Sequence, residues 1–324
     1  VIPEVECAGA PRDLGLAQGR SCAGAVRRGA PRVGWLARLR PSPERARLDR
    51  ELWRHHPQVA ERLRGLALGA GVPAADLLAA LTEDTGDAPV LALERAGDRS
   101  GGSPGGPLLA RLLPGLGSAR AQEEWVLRRS RPDPGFASLE LTRPWLPAAT
   151  AGVNETGLAV VASGFFPDAG AGRHHEAPGS LLVQGALQRF ATAAGAAEWL
   201  LRRPGGGRGS VVAADASGRT VGVAFDGADR RLLADDGGIL VASPPPPAMP
   251  ANGTAVVGPV SRDVLAKAAR EAADGAEGLA RGLCAAAPGA SALVLAPAAR
   301  RLLLLAGPEA SPLVQHIAGE TRAA

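Results

Sequence analysis

The chain has no tyrosine, one lysine, one methionine and three cysteines, and aromatic residues make up 3% of its 324 positions. With Lys267 as the sole lysine and no phenol, few groups titrate between neutral pH and the arginine range. A net charge of +4 is then enough to raise the pI to 9.7. The basic balance is therefore no signature of nucleic-acid binding: the arginines are scattered, and no basic stripe carries interleaved aromatics. Cys7, Cys22 and Cys284 have no CxxC or Cys/His ligand spacing, and an odd count does not close a disulfide framework. They read as small buried hydrophobes in a reducing compartment. Long apolar runs are missing too: 292–295 and 302–306 fall far short of the ~20 residues that span a membrane. The opening VIPEVECAGAPRD has no basic-then-apolar signal pattern. The expectation is a cytoplasmic protein that engages neither membrane nor nucleic acid.

What is present is a hydrophobic content of 46%, enough for one large core or two modest ones. A short strand is expected at 1–5, then a turn and a helix carrying Leu14, Leu16, Cys22 and Val26 on one face. Leu48, Leu52, Val59, Leu63 and Leu66 form an apolar stripe over 44–68, interrupted at Pro57. Glycines at 69 and 71 stop it, and Pro73 opens a further helix. His55 and His56, adjacent at this junction, point about 100° apart on a helix and cannot share one metal; they read as a solvated pair. From Val90 the period changes to that of strands, expected at 90–95, 107–113, 124–128, 137–141 and 158–163. Helices are expected at about 180–191 and 194–202, followed by a hairpin of 211–215 with 220–225 and a closing hairpin of the same design. Hairpins interleaved with helix pairs imply a layered α+β fold. GGGRGS at 205–210 is not a phosphate cradle, since no GxxxxGK[ST] pattern follows.

Six stretches, in order, resemble one family. They are CAGAPRDLGLAQGRSCAGAVRR, WRHHPQVAERLRGLALGAGVPAADLLAAL, AGVNETGLAVVASG, EAPGSLLVQGALQRFATAAGAAEWL, SVVAADASGRTVGVAF and the closing hairpin. Together they are similar to the penicillin acyltransferase-like family of N-terminal-nucleophile hydrolases. The resemblance implies a four-layer αββα fold, with a helical segment 1–85 equivalent to the family's pro-segment and a sandwich over 86–324, forming one integrated domain. It also implies a precursor that cleaves itself before a cysteine, whose thiol then attacks an amide or thioester while its freed amine acts as base.

The family's Gly-Cys-Thr site corresponds to Gly86, Asp87 and Ala88 in LTEDTGDAPV, so the nucleophile is missing. Its Gly-x-Asn-x-Asp run falls on Ala110 to Pro114, its oxyanion asparagine near Ser243, and its helix arginine on Gln184. By the resemblance the cleft would be bordered by Asp87 and the loop His174, His175 and Glu176 as catalytic candidates. Glu83, Arg111, Trp145, Phe165, Phe166, Gln184 and Ser243 would contact substrate. A base with a neighbouring carboxylate suits proton transfer, whereas the adjacent His-His-Glu spacing fits no zinc motif; neither metal nor cofactor is expected. Three readings stay open. The first is a divergent enzyme acting on a small amide, thioester or peptide-derived metabolite without a cysteine, by cyclisation or elimination in secondary metabolism. The second is a pseudoenzyme that binds a ligand, a protein partner or a second copy of itself; the third is a self-processing hydrolase using Thr82 or Thr85.

Overall fold

The computed structural model describes residues 2–40, 42–82, 90–94, 106–113, 115–166, 179–203, 208–227, 229–235, 237–242, 261–271 and 275–317. β1 (Glu4–Gly9) is followed by α1 (Pro11–Ser21), α2 (Ala23–Gly29), α3 (Trp35–Leu39), α4 (Pro43–His55), α5 (Pro57–Ala70) and α6 (Ala74–Thr82). Prolines open α1, α4 and α5, where a missing N–H costs nothing. The Ser42 hydroxyl accepts from the Arg45 N–H to cap α4, and Gly71, at φ 66°, closes α5 in a left-handed turn.

The strand-rich remainder begins with β2 (Val90–Leu93), β3 (Leu108–Leu113), α7 (Ala119–Glu123), β4 (Val126–Pro132), β5 (Ser138–Thr142), β6 (Ala151–Asn154) and β7 (Ala159–Phe166). Next come α8 (Gly179–Arg189), α9 (Ala193–Leu201), β8 (Arg208–Ala214), β9 (Thr220–Asp226), β10 (Asp229–Leu232) and β11 (Ile239–Ala242). α10 (Arg262–Glu271), α11 (Gly275–Ala286), β12 (Ser291–Ala296), β13 (Arg301–Leu305) and β14 (Leu313–His316) complete it.

The strands form two sheets. The larger has the order β1-β4-β5-β6-β7-β8-β9-β10 and the smaller β11-β2-β3-β12-β13-β14. Every pairing is antiparallel except β1 with β4. Strand alternation sorts the side chains into layers. Val90, Ala92, Leu109, Leu113, Leu293 and Leu302 of the smaller sheet meet Leu127, Leu139, Leu141, Val153, Val161 and Val212 of the larger to form the inter-sheet core. The alternate residues Leu91, Ala110, Leu112 and Val294 pack under Leu265, Leu279 and Leu283 of α10 and α11. The outer face of the larger sheet is covered by α8 and α9 at one end and by the helices of the opening segment at the other. The result is the helix–sheet–sheet–helix layering expected from the sequence. Among the described residues no helix is long and apolar enough to cross a membrane.

The helical segment is locked to itself by glycine. A Cβ on Gly15 or Gly19 of α1 would overlap the carbonyls of Arg62 or Leu66, and one on Gly65 or Gly69 of α5 those of Arg12 or Leu16. Small residues four apart on both helices thus let the backbones touch.

The opening strand runs Glu4–Gly9 rather than 1–5, and its parallel pairing with β4 makes the first residues part of the larger sheet. The expectation of a solvated histidine pair is corrected. His55 is half-buried against Glu51, whereas His56 is 5% exposed. Burial, then the guanidiniums of Arg203 and Arg189, hold His56 down to about 3, so it stays neutral at physiological pH. The unfolded chain takes up this proton more readily, so its neutral burial stabilises the fold fully above pH 6.5, and that contribution is lost as pH falls toward 3.

Gly65→Ala is expected to lower stability by about 1–3 kcal/mol or more through overpacking. Urea denaturation of this variant beside Gly117→Ala, where a Cβ meets open space, checks this; equal midpoints would contradict the close crossing.

Candidate functional site

Arg111, Ser163 and Ser210 interrupt the apolar alternation of the inter-sheet layer at one end of the sandwich. On β3, Leu109 and Leu113 face the other sheet, which puts Arg111 between them on the same face; it is 5% exposed. On β7 the inward residues Ala159 and Val161 lead to Ser163, and on β8 Ala214 and Val212 lead to Ser210. The pairing register sets these at one level. Val90 pairs with both Arg111 and Ala242, Ser163 pairs with Ser210, and the Ser163 hydroxyl donates across the sheets to the Ala242 carbonyl at 3.3 Å. Arg111 Nη1 donates to the Thr150 carbonyl at 3.4 Å, which also accepts the Ala162 N–H. This end is where β2 begins, where β7 and β11 finish, and where β8 starts.

Thr150 owes its position to a buried polar network on the other face of the larger sheet. Arg128 Nε donates to Glu140 Oε2 at 2.6 Å, Nη1 to Gln18 Oε1 at 2.6 Å and Nη2 to Gln184 Oε1 at 2.8 Å. Glu140 further accepts from Ser130, Ser138 and Gln184. Gln18 Nε2 donates to the Pro144 and Leu146 carbonyls, and Gln184 Oε1 accepts the Ala149 N–H. The chain over 144–149 is thereby pinned, and Thr150 follows it, held by its own N–H and hydroxyl on the Leu141 carbonyl. Burial pushes the Glu140 carboxyl up, but Arg128, Arg62 and the hydrogen bonds of Ser138 and Gln184 outweigh it and hold it at about 2. Arg62, fully buried on α5, donates to the Ser130 hydroxyl at 2.8 Å.

The thiols are placed elsewhere. Cys7 and Cys22 lie among the helices outside the larger sheet and Cys284 under those outside the smaller one, so all three cysteines are absent from the inter-sheet layer. Burial raises each of them, Cys22 and Cys284 to about 11, which keeps them protonated. Among the described residues no group of three or more His, Cys, Asp or Glu could hold a metal ion.

Of the residues expected at the cleft, Arg111 lies in the inter-sheet layer. Gln184 is fully buried, with both ends of its amide engaged by Arg128, Ala149 and Glu140, so it acts on the end of the sandwich through the 144–150 segment. Trp145 packs with the helical cluster outside the larger sheet, on the opposite face from Arg111, with the Arg143 guanidinium 5.9 Å from its ring. Phe165 and Phe166 belong to the end of β7, where an irregularity in register follows Ser163; their backbone alone is described. Glu83, Asp87, His174, His175, Glu176 and Ser243 lie outside the described residues, as does Thr85. Sequence reading missed Ser163 and Ser210. The signal was the strand alternation itself: extending the inward phase of β7 and β8 by one step reaches a hydroxyl in each.

No family model matches the chain, and no curated protein matches it. Solved structures align with it at low identity. An N-acylethanolamine-hydrolyzing acid amidase ortholog from Caenorhabditis elegans is 13% identical over 65% of this chain and 93% of its own, with a TM-score of 0.46. A mutant conjugated bile acid hydrolase from Clostridium perfringens is 10% identical over 71% and 92%, with a TM-score of 0.41. Penicillin V acylase from Agrobacterium tumefaciens is 14% identical over 71% and 77%, with a TM-score of 0.34. At such values none of them bears on what this chain does, and the four-layer arrangement stands on its own sheets and helices.

Glu140 supplies the prediction for this region. Its folded value lies below its ordinary 4.5, so its contribution is complete above pH 4.5 and is lost as pH falls toward 2. Glu140→Gln strands two buried guanidiniums and is expected to cost about 3–5 kcal/mol at pH 7. The deficit relative to wild type should shrink as urea denaturation is repeated from pH 5 down to pH 2. A deficit independent of pH would contradict the assignment.

Proposed function

We propose that the chain binds a small amide- or peptide-derived metabolite bearing a carboxylate at the end of the sandwich marked by Arg111, and acts on it without a thiol nucleophile. The observation that carries this reading is the inward guanidinium: a cation flanked by Leu109 and Leu113 in a mainly apolar inter-sheet layer. A buried arginine matches a carboxylate in charge and in its paired donor geometry, and the leucines on either side of it suit an apolar acyl group. The placement of all three cysteines on outer faces supports chemistry independent of cysteine, such as proton-transfer cyclisation or elimination. Asp87 and the loop His174, His175 and Glu176 are proposed as its acid–base groups, with Glu83, Phe165, Phe166 and Ser243 around the substrate; Trp145, behind the larger sheet, takes no part. The resemblance to penicillin acyltransferase-like proteins is read as common descent, followed by loss of the self-cleaving cysteine.

A second reading, a ligand-binding pseudoenzyme, is favoured by the apolar residues Val90, Leu113 and Ala242 at and around the Arg111 level, which offer no proton-transfer group.

N-acylglycines of increasing chain length test both. The free acids are expected to bind wild type, with affinity rising with acyl length. Arg111→Met, or the methyl esters, should bind about tenfold or more weakly, the worth of a charge-assisted hydrogen bond. Calorimetry reads the binding and chromatography the consumption of the amide. Equal binding of acids and esters would contradict the role of Arg111; binding without turnover would select the pseudoenzyme.

A further inference from the structure

A second cationic site lies at the C-terminal ends of α8 and α9. Arg189 ends α8, and Arg203 lies two residues beyond the end of α9. Both guanidiniums lie on the ring of Trp199, at 5.7 Å and 4.5 Å from its centroid, so their carbons are within about 10 Å of each other. The Trp199 ring is itself steadied by Phe190 at 5.7 Å. Beside them is His56, buried at the α4–α5 junction and close enough to both arginines for their charge to oppose its protonation. The charged neighbours are engaged elsewhere: Glu198 pairs with Arg202, and Glu51 with His55. Among the described residues neither Arg189 nor Arg203 has a carboxylate partner.

Two guanidiniums gathered on one indole next to a buried imidazole, without a carboxylate, repel each other. The negative ends of α8 and α9 offset part of this, yet that effect is confined to the last turn and is screened by water. An anion seated between the two forks would offset the remainder, and guanidinium geometry matches the paired oxygens of phosphate. We propose that Arg189 and Arg203, gathered on Trp199, form a binding site for a small phosphate-class oxyanion at the ends of α8 and α9. Arg189 is exposed, so the site is open to solvent.

The full chain is tested in separate arms with inorganic phosphate and with glycerol 3-phosphate, each against sodium chloride at matched ionic strength. Either phosphate compound is expected to raise the melting temperature by about 2–4 °C over chloride near tenfold saturation, and to show 31P line broadening with the protein. Arg189→Gln/Arg203→Gln should lose both effects while melting, without phosphate, no lower than wild type, since it relieves like-charge repulsion. Arg202→Gln, next to the site but paired with Glu198, should keep both. If the double variant does not fold, Arg203→Gln alone is read by 31P broadening. Equal shifts in chloride and both phosphate arms, or line broadening that survives the loss of Arg203, would overturn the proposal.

Discussion

The ion pair between Arg128 and Glu140 holds the structure together where three parts of the chain meet. Both residues are wholly buried, and a buried pair is tolerated only when its remaining donors and acceptors are met. Here Gln18 comes from α1, Gln184 from α8, Ser130 and Ser138 from the paired strands β4 and β5, and backbone carbonyls from 146 and 147. Arg62 of α5 adds a second guanidinium, and the glycine-to-glycine crossing of α1 and α5 sets the height at which it reaches Ser130. Replacing Gln18, Gln184, Ser130 or Ser138 leaves a buried charged group one hydrogen bond short, and replacing Arg128 or Glu140 leaves the other charge without its partner.

Two consequences follow for how the chain works. α1 and α5 contribute Gln18 and Arg62 to the charge network, and β1 pairs with β4 of the larger sheet. The network also pins the segment leading to Thr150, and through that carbonyl it fixes Arg111 on the opposite face of the sheet. A residue that resembles a substrate contact by its place in a family pattern, Gln184, thus influences the sandwich end from behind the sheet. Arg111, with Leu109 and Leu113 beside it, faces the inter-sheet layer directly.

Much of the fold was legible because the relevant signals are local. Prolines and glycines marked the ends of α4 and α5, the change of period at Val90 marked the first hairpin, and the turns around 154–157 and 215–219 marked two more. β10 and β14 went unread, since strands of four residues with mixed polarity carry too little alternation to register, and β11 because four apolar residues show no alternation. α10 and α11 were also missed, although Leu265, Leu279 and Leu283 already fall at helical spacing; short alanine side chains fill the rest of that face and weaken the contrast. The candidate site was less legible than the fold. The inward phase of Arg111 depends on knowing which face of β3 meets the second sheet, and the charges that oppose protonation of His56 come from Arg189 and Arg203, more than a hundred residues away. Neither is encoded in the sequence near those residues.

We propose that the chain acts without releasing a nucleophile by self-cleavage. The intact mass of the purified 324-residue chain under denaturing conditions decides the matter. A single species near 32.8 kDa is expected. Two fragments meeting between Thr82 and Asp87 would contradict the account and restore a self-processing hydrolase.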